Sequence, residues 1–222
     1  MAKLYIVATP IGNLEDITFR ALRILKEVDL ILCEDTRVTK KILEFYNVRV
    51  PIESYHQHSN IKKINYIIDL LKQGKNLALV SDSGTPGISD PGNKLIEEVK
   101  NFAEIIPIPG PSAITAIASI SGFPMDKFVF MGFPPHKNKR NKFFQEITDS
   151  KHPVIIYEST HRIVKTLKEL SKFKEFDIVI GRELTKMFET IYRGEIKDVL
   201  NQLEKSKIKG EFVIVIRQRR TS

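Results

Sequence analysis

Short apolar runs rich in β-branched residues alternate along the whole chain with segments whose apolar positions recur at helical spacing. The run Leu4-Tyr5-Ile6-Val7-Ala8 reads as a strand, and Ile17, Ala21, Ile24 and Val28 behind it follow the period of a helix. The pattern predicts a strand over 30–33, a helix over 38–46 and a helix over 61–72, the last with Asn60 as N-cap and Gly74 just past its end. A strand over 77–80 leads through a loop, 81–92, into a helix over 94–102. A strand over 104–108 and a helix over 112–120 complete the first half. Strands that alternate with helices imply an α/β fold with a parallel sheet.

The segment Ser121-Gly122-Phe123-Pro124-Met125-Asp126 breaks that last helix, and the alternation then restarts. A strand over 128–133 runs into Pro134-Pro135-His136-Lys137-Asn138-Lys139-Arg140-Asn141-Lys142 and then a helix. A strand over 154–157 leads to a helix over 162–173, and strands over 178–180, 189–193 and 212–217 flank a helix over 197–205. These later strands need not all be parallel. The expected organisation is two α/β domains, 1–117 and 118–222, with no internal repeat.

Composition agrees with a folded chain of one large or two small domains: 222 residues, 42% hydrophobic and 28% charged. Charge changes the picture more. Residues 1–112 carry 14 basic and 14 acidic side chains, whereas 113–222 carry 21 and 13, so the whole net charge of +8 lies in the second half. A half that faces a polyanion fits this asymmetry, and so does a set of solvated Lys-rich helices. The first apolar run stops at Thr9-Pro10, and no stretch approaches the roughly 20 apolar residues that cross a bilayer, so the expectation is a cytoplasmic protein without a membrane segment. The lone Cys33, inside an apolar stretch, reads as a buried small hydrophobe, and no Cys/His set has zinc spacing.

Three loops carry candidate chemistry. Ala8-Thr9-Pro10-Ile11-Gly12-Asn13-Leu14 follows the first strand, where an α/β sheet places its ligand, but it matches neither G-x-G-x-x-G nor a P-loop. Hydride transfer and NTP hydrolysis therefore lose their usual support. Ser81 to Gly92 holds three glycines and two prolines directly after a buried strand, a composition that lets backbone N–H groups approach a carboxylate or phosphate, with Asp82 or Asp90 to accept from an ammonium or a ribose hydroxyl. Pro109-Gly110-Pro111-Ser112-Ala113 again joins a strand end to a helix start, and Ser112 either caps that helix or binds a ligand. Three such loops at one sheet edge point to a ligand site.

Taken with Cys33-Glu34-Asp35-Thr36-Arg37, Phe130-Met131-Gly132-Phe133-Pro134-Pro135, Glu158-Ser159-Thr160-His161-Arg162, Gly181-Arg182-Glu183-Leu184-Thr185-Lys186 and Gly210-Glu211-Phe212-Val213, these loops make the chain resemble the tetrapyrrole methylase superfamily. The likeness is to the branch that methylates the ribose 2′-oxygen of a cytidine in the decoding centre of 16S rRNA. It implies two α/β domains with S-adenosylmethionine in the cleft between them, and a homodimer. Carried over by position, the cofactor contacts are Pro10, Asp82, Gly84, Thr85, Ile88, Ser112 and Ala113, with Tyr157, Glu158, Arg182, Glu183, Leu184, Gly210 and Glu211 from the second half. The partner implied is 16S rRNA within the small ribosomal subunit.

For the transfer itself, Asp35 is a candidate acceptor of the hydroxyl proton and Lys186 a candidate for lowering its pKa; the alternative for Asp35 is an N-terminal cap of the helix behind it. Arg37 is a candidate for RNA phosphates, and so are Lys137, Lys139, Arg140 and Lys142, which have no acidic residue near them between Lys127 and Glu146. Phe143-Phe144 fits helix packing better than base stacking. His56 and His58 read as polar loop residues near the substrate rather than ligands, and Arg217, Arg219 and Arg220 as a frayed basic tail. Two rival functions remain at this level. One is methylation of a precorrin-like tetrapyrrole or another small molecule; the other is a non-catalytic RNA-binding module.

Overall fold

The computed structural model describes residues 1–56, 59–206 and 208–219, and the chain divides into two compact units, Met1–Ser112 and Ala113–Ser222. The first is built on strands β1 (Ala2–Val7), β2 (Leu30–Cys33), β3 (Ile52–Ser54), β4 (Leu77–Val80) and β5 (Ala103–Ile108), in the order β3-β2-β4-β1-β5. Every neighbouring pair is parallel. Helices α1 (Phe19–Glu27), α2 (Thr36–Phe45), α3 (Ile61–Lys72) and α4 (Asn93–Val99) make the crossovers. Their starts obey local chemistry: Thr18 accepts from the Ala21 N–H, Asp35 from Arg37 and Asn60 from Lys63.

Strands β2 and β4 are buried at every position, as continuous apolar runs in a parallel sheet require. Alternation then assigns each residue to a layer. Leu30, Leu32, Leu77 and Leu79 join one apolar cluster, and Ile31, Cys33, Ala78 and Val80 join the other. Cys33 is indeed a buried hydrophobe; burial pushes its thiol pKa up. Each fully buried Leu or Ile here contributes about 1.5–3 kcal/mol of transfer free energy. Strand β3 was not foreseen. It has three residues, sits at the sheet edge behind Pro51 and is only partly buried, so it carries too little periodicity to register.

The second unit mixes strand directions. Strands β6 (Val129–Phe130), β7 (Val154–Ser159), β8 (Phe176–Arg182), β9 (Thr190–Glu195) and β10 (Glu211–Gln218) lie in the order β6-β7-β10-β8-β9. Only β6 and β7 pair in parallel; β10 runs antiparallel to both its neighbours, and β9 to β8. Helices α5 (Ala113–Ile120), α6 (Arg140–Asp149), α7 (Ile163–Leu170) and α8 (Ile196–Glu204) belong to this unit. Helix α5 goes with it, and the division falls at Ser112/Ala113, because α5 packs on β8 and β10.

Two sequence expectations change here. The strand expected over 128–133 shrinks to Val129–Phe130, because the chain turns at Gly132, whose φ of +64° ends the extended run. The C-terminal arginines are not a frayed tail either. Arg217 pairs with Asp177 at 2.8 Å with its guanidinium 4.2 Å from the centre of the Phe123 ring, and Arg219 pairs with Glu195. Arg220 lies outside the described residues. No helix among the described residues is long and apolar enough to cross a membrane.

Candidate functional site

Register brings the first unit's loops level. Val7 stands opposite Val80 on one side and Ile108 on the other, so the loops that begin at Ala8, Ser81 and Pro109 leave the carboxyl edge of adjacent strands together. They are then tied to one another. Thr9 and Gly84 exchange both backbone hydrogen bonds, at 2.9 and 3.0 Å, and Ala8 N–H donates to the Ile108 carbonyl. The buried Thr9 hydroxyl donates to the Ser81 carbonyl at 3.0 Å, and Thr85 Oγ1 donates to the Pro111 carbonyl at 3.4 Å. Gly84 makes the link with φ +79°, and Gly110 lies so close to Ala8 that a Cβ on it would stand 3.0 Å from the Ala8 Cβ. Thr9 was not singled out in the sequence, although a threonine at a strand end before proline is a fair signal for such a latch.

Beside these loops a polar pocket of about 430 Å³ is lined by Glu34, Asp35, Arg37, Ser54, His56 and Asp82, among others. Asp82 accepts the Asp35 N–H at 3.0 Å. The Asp35 carboxylate does two jobs: it caps α2 by accepting the Arg37 N–H at 2.8 Å, and it holds the Arg37 guanidinium, 2.6 Å from Nη2. Hydrogen bonds from Arg37 side chain and backbone keep its pKa well below the usual carboxylate range. The capping alternative is seen, with both Asp35 carboxylate oxygens accepting hydrogen bonds from Arg37. Arg37 is largely exposed yet already paired. His56 is exposed, its backbone N–H donating to Ser59 Oγ at 2.8 Å, and His58 lies outside the described residues.

In the second unit, Phe212 of β10 faces both Glu158 of β7 and Arg182 of β8, so the predicted residues 157–158, 182–184 and 210–211 meet at one end of the sheet. Arg182 Nε donates to the Lys209 carbonyl at 2.7 Å. Glu183, at φ +52°, accepts from the Glu211 N–H at 2.9 Å and from Lys186 Nζ at 3.0 Å, while Lys186 also reaches the Glu211 carboxylate at 2.8 Å. Burial acts to lower the Lys186 pKa, but Glu211 and Glu183 outweigh it and hold the ammonium above its usual value. Burial acts to raise Glu183 as well, and there the Glu211 N–H and Lys186 prevail, so its pKa is lowered. Lys186 is thus a fixed positive charge. Leu184 is nearly buried, packed on the bare backbone of Gly181.

Tyr157 is part-buried, edge-on to Phe130 with ring centres 5.0 Å apart. Glu158 is buried, and its carboxylate is spent within the protein: on Arg162 at 2.8 Å, on the Ser159 N–H at 2.7 Å and on the Thr166 hydroxyl at 2.6 Å. Any contact it makes to a ligand falls to its backbone. Of the expected RNA-facing cations, Lys137, Lys139 and Lys142 are exposed, but Arg140 is not. It is buried, donating to Glu169, the Pro135 carbonyl and the Thr166 hydroxyl, because Glu169 supplies from α7 the negative charge missing between Lys127 and Glu146. Phe144 is fully buried and Phe143 packs beside it, as expected of helix packing.

Each unit, taken by itself, offers features that suit S-adenosylmethionine. In the first, Gly84 and its neighbours supply approachable backbone and Ile88 leaves 44% of its surface exposed for packing; in the second, Thr185 Oγ1 is a buried hydroxyl without a partner among the described residues. Sequence reasoning passed over Thr185, whose backbone φ of +66° marks a strained turn only in three dimensions.

An α/β protein that gathers its loops at a sheet edge can serve many chemistries, and comparison with known proteins supplies the class, that of the methylases. The sequence model of the tetrapyrrole (corrin/porphyrin) methylases matches residues 3–200. Proteins named ribosomal RNA small subunit methyltransferase I from Thermotoga maritima and Hydrogenobaculum are 42% and 44% identical to it, over 97% and 99% of this chain and 98% and 97% of theirs. Among solved structures, diphthine synthase gives a TM-score of 0.77 at 14% identity, covering 100% of this chain and 92% of that one. The cobalt-precorrin-4 methyltransferase CbiF gives 0.73 at 18%, covering 96% and 94%. The chain belongs to the tetrapyrrole methylase family, and within it to the group of ribosomal RNA small subunit methyltransferase I proteins.

Proposed function

We propose that the protein is an S-adenosylmethionine-dependent methyltransferase that acts on the ribose 2′-hydroxyl of a cytidine in the decoding centre of 16S rRNA, within the small ribosomal subunit. The observation that carries this reading is identity of 42–44% over nearly the whole chain to relatives named for small-subunit rRNA methylation. The excess of +8 confined to residues 113–222 supports a polyanionic partner. A cytoplasmic homodimer is part of the same reading.

When bound, S-adenosylmethionine supplies the activated methyl group. In the first unit, Pro10, Asp82, Gly84, Thr85, Ile88, Ser112 and the adjoining Ala113 would hold it; in the second, Tyr157, Glu158, Arg182, Glu183, Leu184, Gly210 and Glu211. What the protein would add is position, holding the hydroxyl oxygen against the activated methyl so that the methyl–sulfur bond breaks as the methyl–oxygen bond forms, with the hydroxyl proton passing to water. Asp35, clasped by Arg37, keeps its proton-accepting oxygens engaged. Lys186, fixed and charged between Glu183 and Glu211, would favour negative charge growing on the hydroxyl oxygen. Lys137, Lys139 and Lys142 would hold flanking phosphates.

The test is transfer of labelled methyl from the cofactor to small subunits and to free 16S rRNA, followed by mapping of the modified ribose. A single labelled cytidine ribose is the expected result. No label in either RNA, with label in a precorrin-like acceptor, would replace this reading with the small-molecule one.

A further inference from the structure

Two guanidinium groups converge on the diproline turn that carries the exposed lysines. Arg162 Nη1 donates to the Pro134 carbonyl at 2.9 Å, and Arg140 Nη1 to the Pro135 carbonyl at 2.7 Å. Arg140 is buried, and Arg162 is largely so, with 15% of its side chain exposed. Arg140 pairs with Glu169 at 2.7 Å through Nε, and Arg162 with the buried Glu158 at 2.8 Å. The fully buried Thr166 hydroxyl joins the two pairs, accepting from Arg140 Nη2 at 3.0 Å and donating to Glu158 Oε2 at 2.6 Å. Two acids and two bases are thereby matched, and each Arg also gives an Nη1 N–H to a proline carbonyl, while Arg162 Nε donates to Ser159 Oγ. Proline itself has no N–H with which to tie the turn into the sheet. The turn then delivers Lys137, Lys139 and Lys142, all exposed and none in an ion pair among the described residues, with Lys139 forced to φ +66° at the start of α6.

A buried, satisfied ionic network costs desolvation that an apolar core would not, so it needs a reason beyond stability. We propose that Arg140 and Arg162, coupled through Thr166 and Glu158, are positioning residues for the nucleic acid substrate: they lock the 134–139 turn so that its lysines present a fixed spacing to the phosphate backbone. This rests on the rRNA reading given above. It assigns to Arg140 an indirect role, through the lysines, in place of a direct phosphate contact.

The experiment is a double-mutant cycle between Arg140→Met and the triple change Lys137→Gln, Lys139→Gln, Lys142→Gln in the full chain, with Arg140→Lys and Thr166→Val beside it. Binding to small subunits is measured against salt, cofactor affinity by calorimetry, and KM and kcat by methyl transfer. The triple change is expected to lower the log-log salt slope by about two to three, at 0.7–0.9 per phosphate contact. Arg140→Met should raise the KM for RNA at least fivefold, with kcat and cofactor affinity within twofold, and should add less than twofold on top of the triple change. Arg140→Lys, which keeps the charge but loses the three-way fork, should behave like Arg140→Met. Thr166→Val should give a smaller loss of the same kind if Arg140→Met does not fold. Additive losses, or a loss of cofactor affinity alongside RNA, would overturn the positioning role. An unchanged salt slope in the triple variant would instead overturn the RNA reading of this turn.

Discussion

The two units fix their functional segments by opposite means. The first has no net charge, and its three loops are tied by backbone hydrogen bonds and by glycines that allow close approach, as at Thr9–Gly84 and Gly110–Ala8. The second carries the whole excess charge and ties its segments with ion pairs: Glu183–Lys186–Glu211, Glu158–Arg162 and Arg140–Glu169. Backbone ties have short reach and tolerate little change of shape, yet they are indifferent to salt. Side-chain ties span greater distances, but each depends on both partners being present, because a buried charge left alone is far costlier than a lost neutral hydrogen bond.

The largest effect should therefore come from removing half of a buried pair in the second unit. Glu158→Ala leaves the Arg162 guanidinium without its carboxylate and Thr166 without its acceptor, and should cost about 3–5 kcal/mol in denaturant unfolding. A loss below about 1 kcal/mol would mean that this pair is as weak as a surface one, and the contrast between the units would fade.

The matching break in the first unit is conformational. Gly84→Val puts a β-branched residue at φ +79°, where only glycine sits without strain, and its Cβ would lie 3.4 Å from Ile11 Cγ2. Cofactor affinity should fall at least tenfold, about 1.4 kcal/mol, while the circular dichroism spectrum is retained. Affinity within threefold of the parent would show that the loop trio is scaffolding only. A smaller loss is expected from Thr9→Val, which deletes one buried neutral hydrogen bond to the Ser81 carbonyl and should cost about 1 kcal/mol, unchanged between low and high salt. Salt dependence of that loss would contradict a neutral tie to the backbone.

The same contrast explains what was legible in the sequence. In the first unit the elements 30–33, 61–72 and 77–80 were legible to the residue, because buried parallel strands and capped helices write themselves in local composition, whereas the three-residue edge strand β3 was not. In the second unit the elements were legible but their partners were not. Arg140 meets Glu169 and Thr166 across 29 and 26 residues of sequence, and no local pattern marks which lysine-rich position will turn inward. Arg217 was likewise sorted by Asp177, forty residues away. Strained backbone at Glu183, Thr185 and Lys139 left no trace in the sequence, since these residues have no special preference for positive φ.

The smallest expected effect concerns Asp35, where both kinds of tie coincide. Its carboxylate caps α2 through a backbone N–H and also clasps Arg37. The folded pKa is depressed from a usual value of 3.8, so the clasp is fully formed above that value and is lost only as pH falls through the depressed folded value. With its pKa held down by Arg37, Asp35 is expected to stay ionised and clasped across pH 5–8 as long as Arg37 remains its partner. Asp35→Asn keeps a side-chain oxygen for the cap, because Asn and Asp serve that position about equally. The variant should retain kcat within about threefold of the parent at saturating substrate, and the kcat profile of the parent should show no inflection between pH 5 and 8 assignable to this residue. An inflection in that range that disappears in Asp35→Asn would put the proton on Asp35 after all, and would mean that binding of the substrate opens the Arg37 clasp.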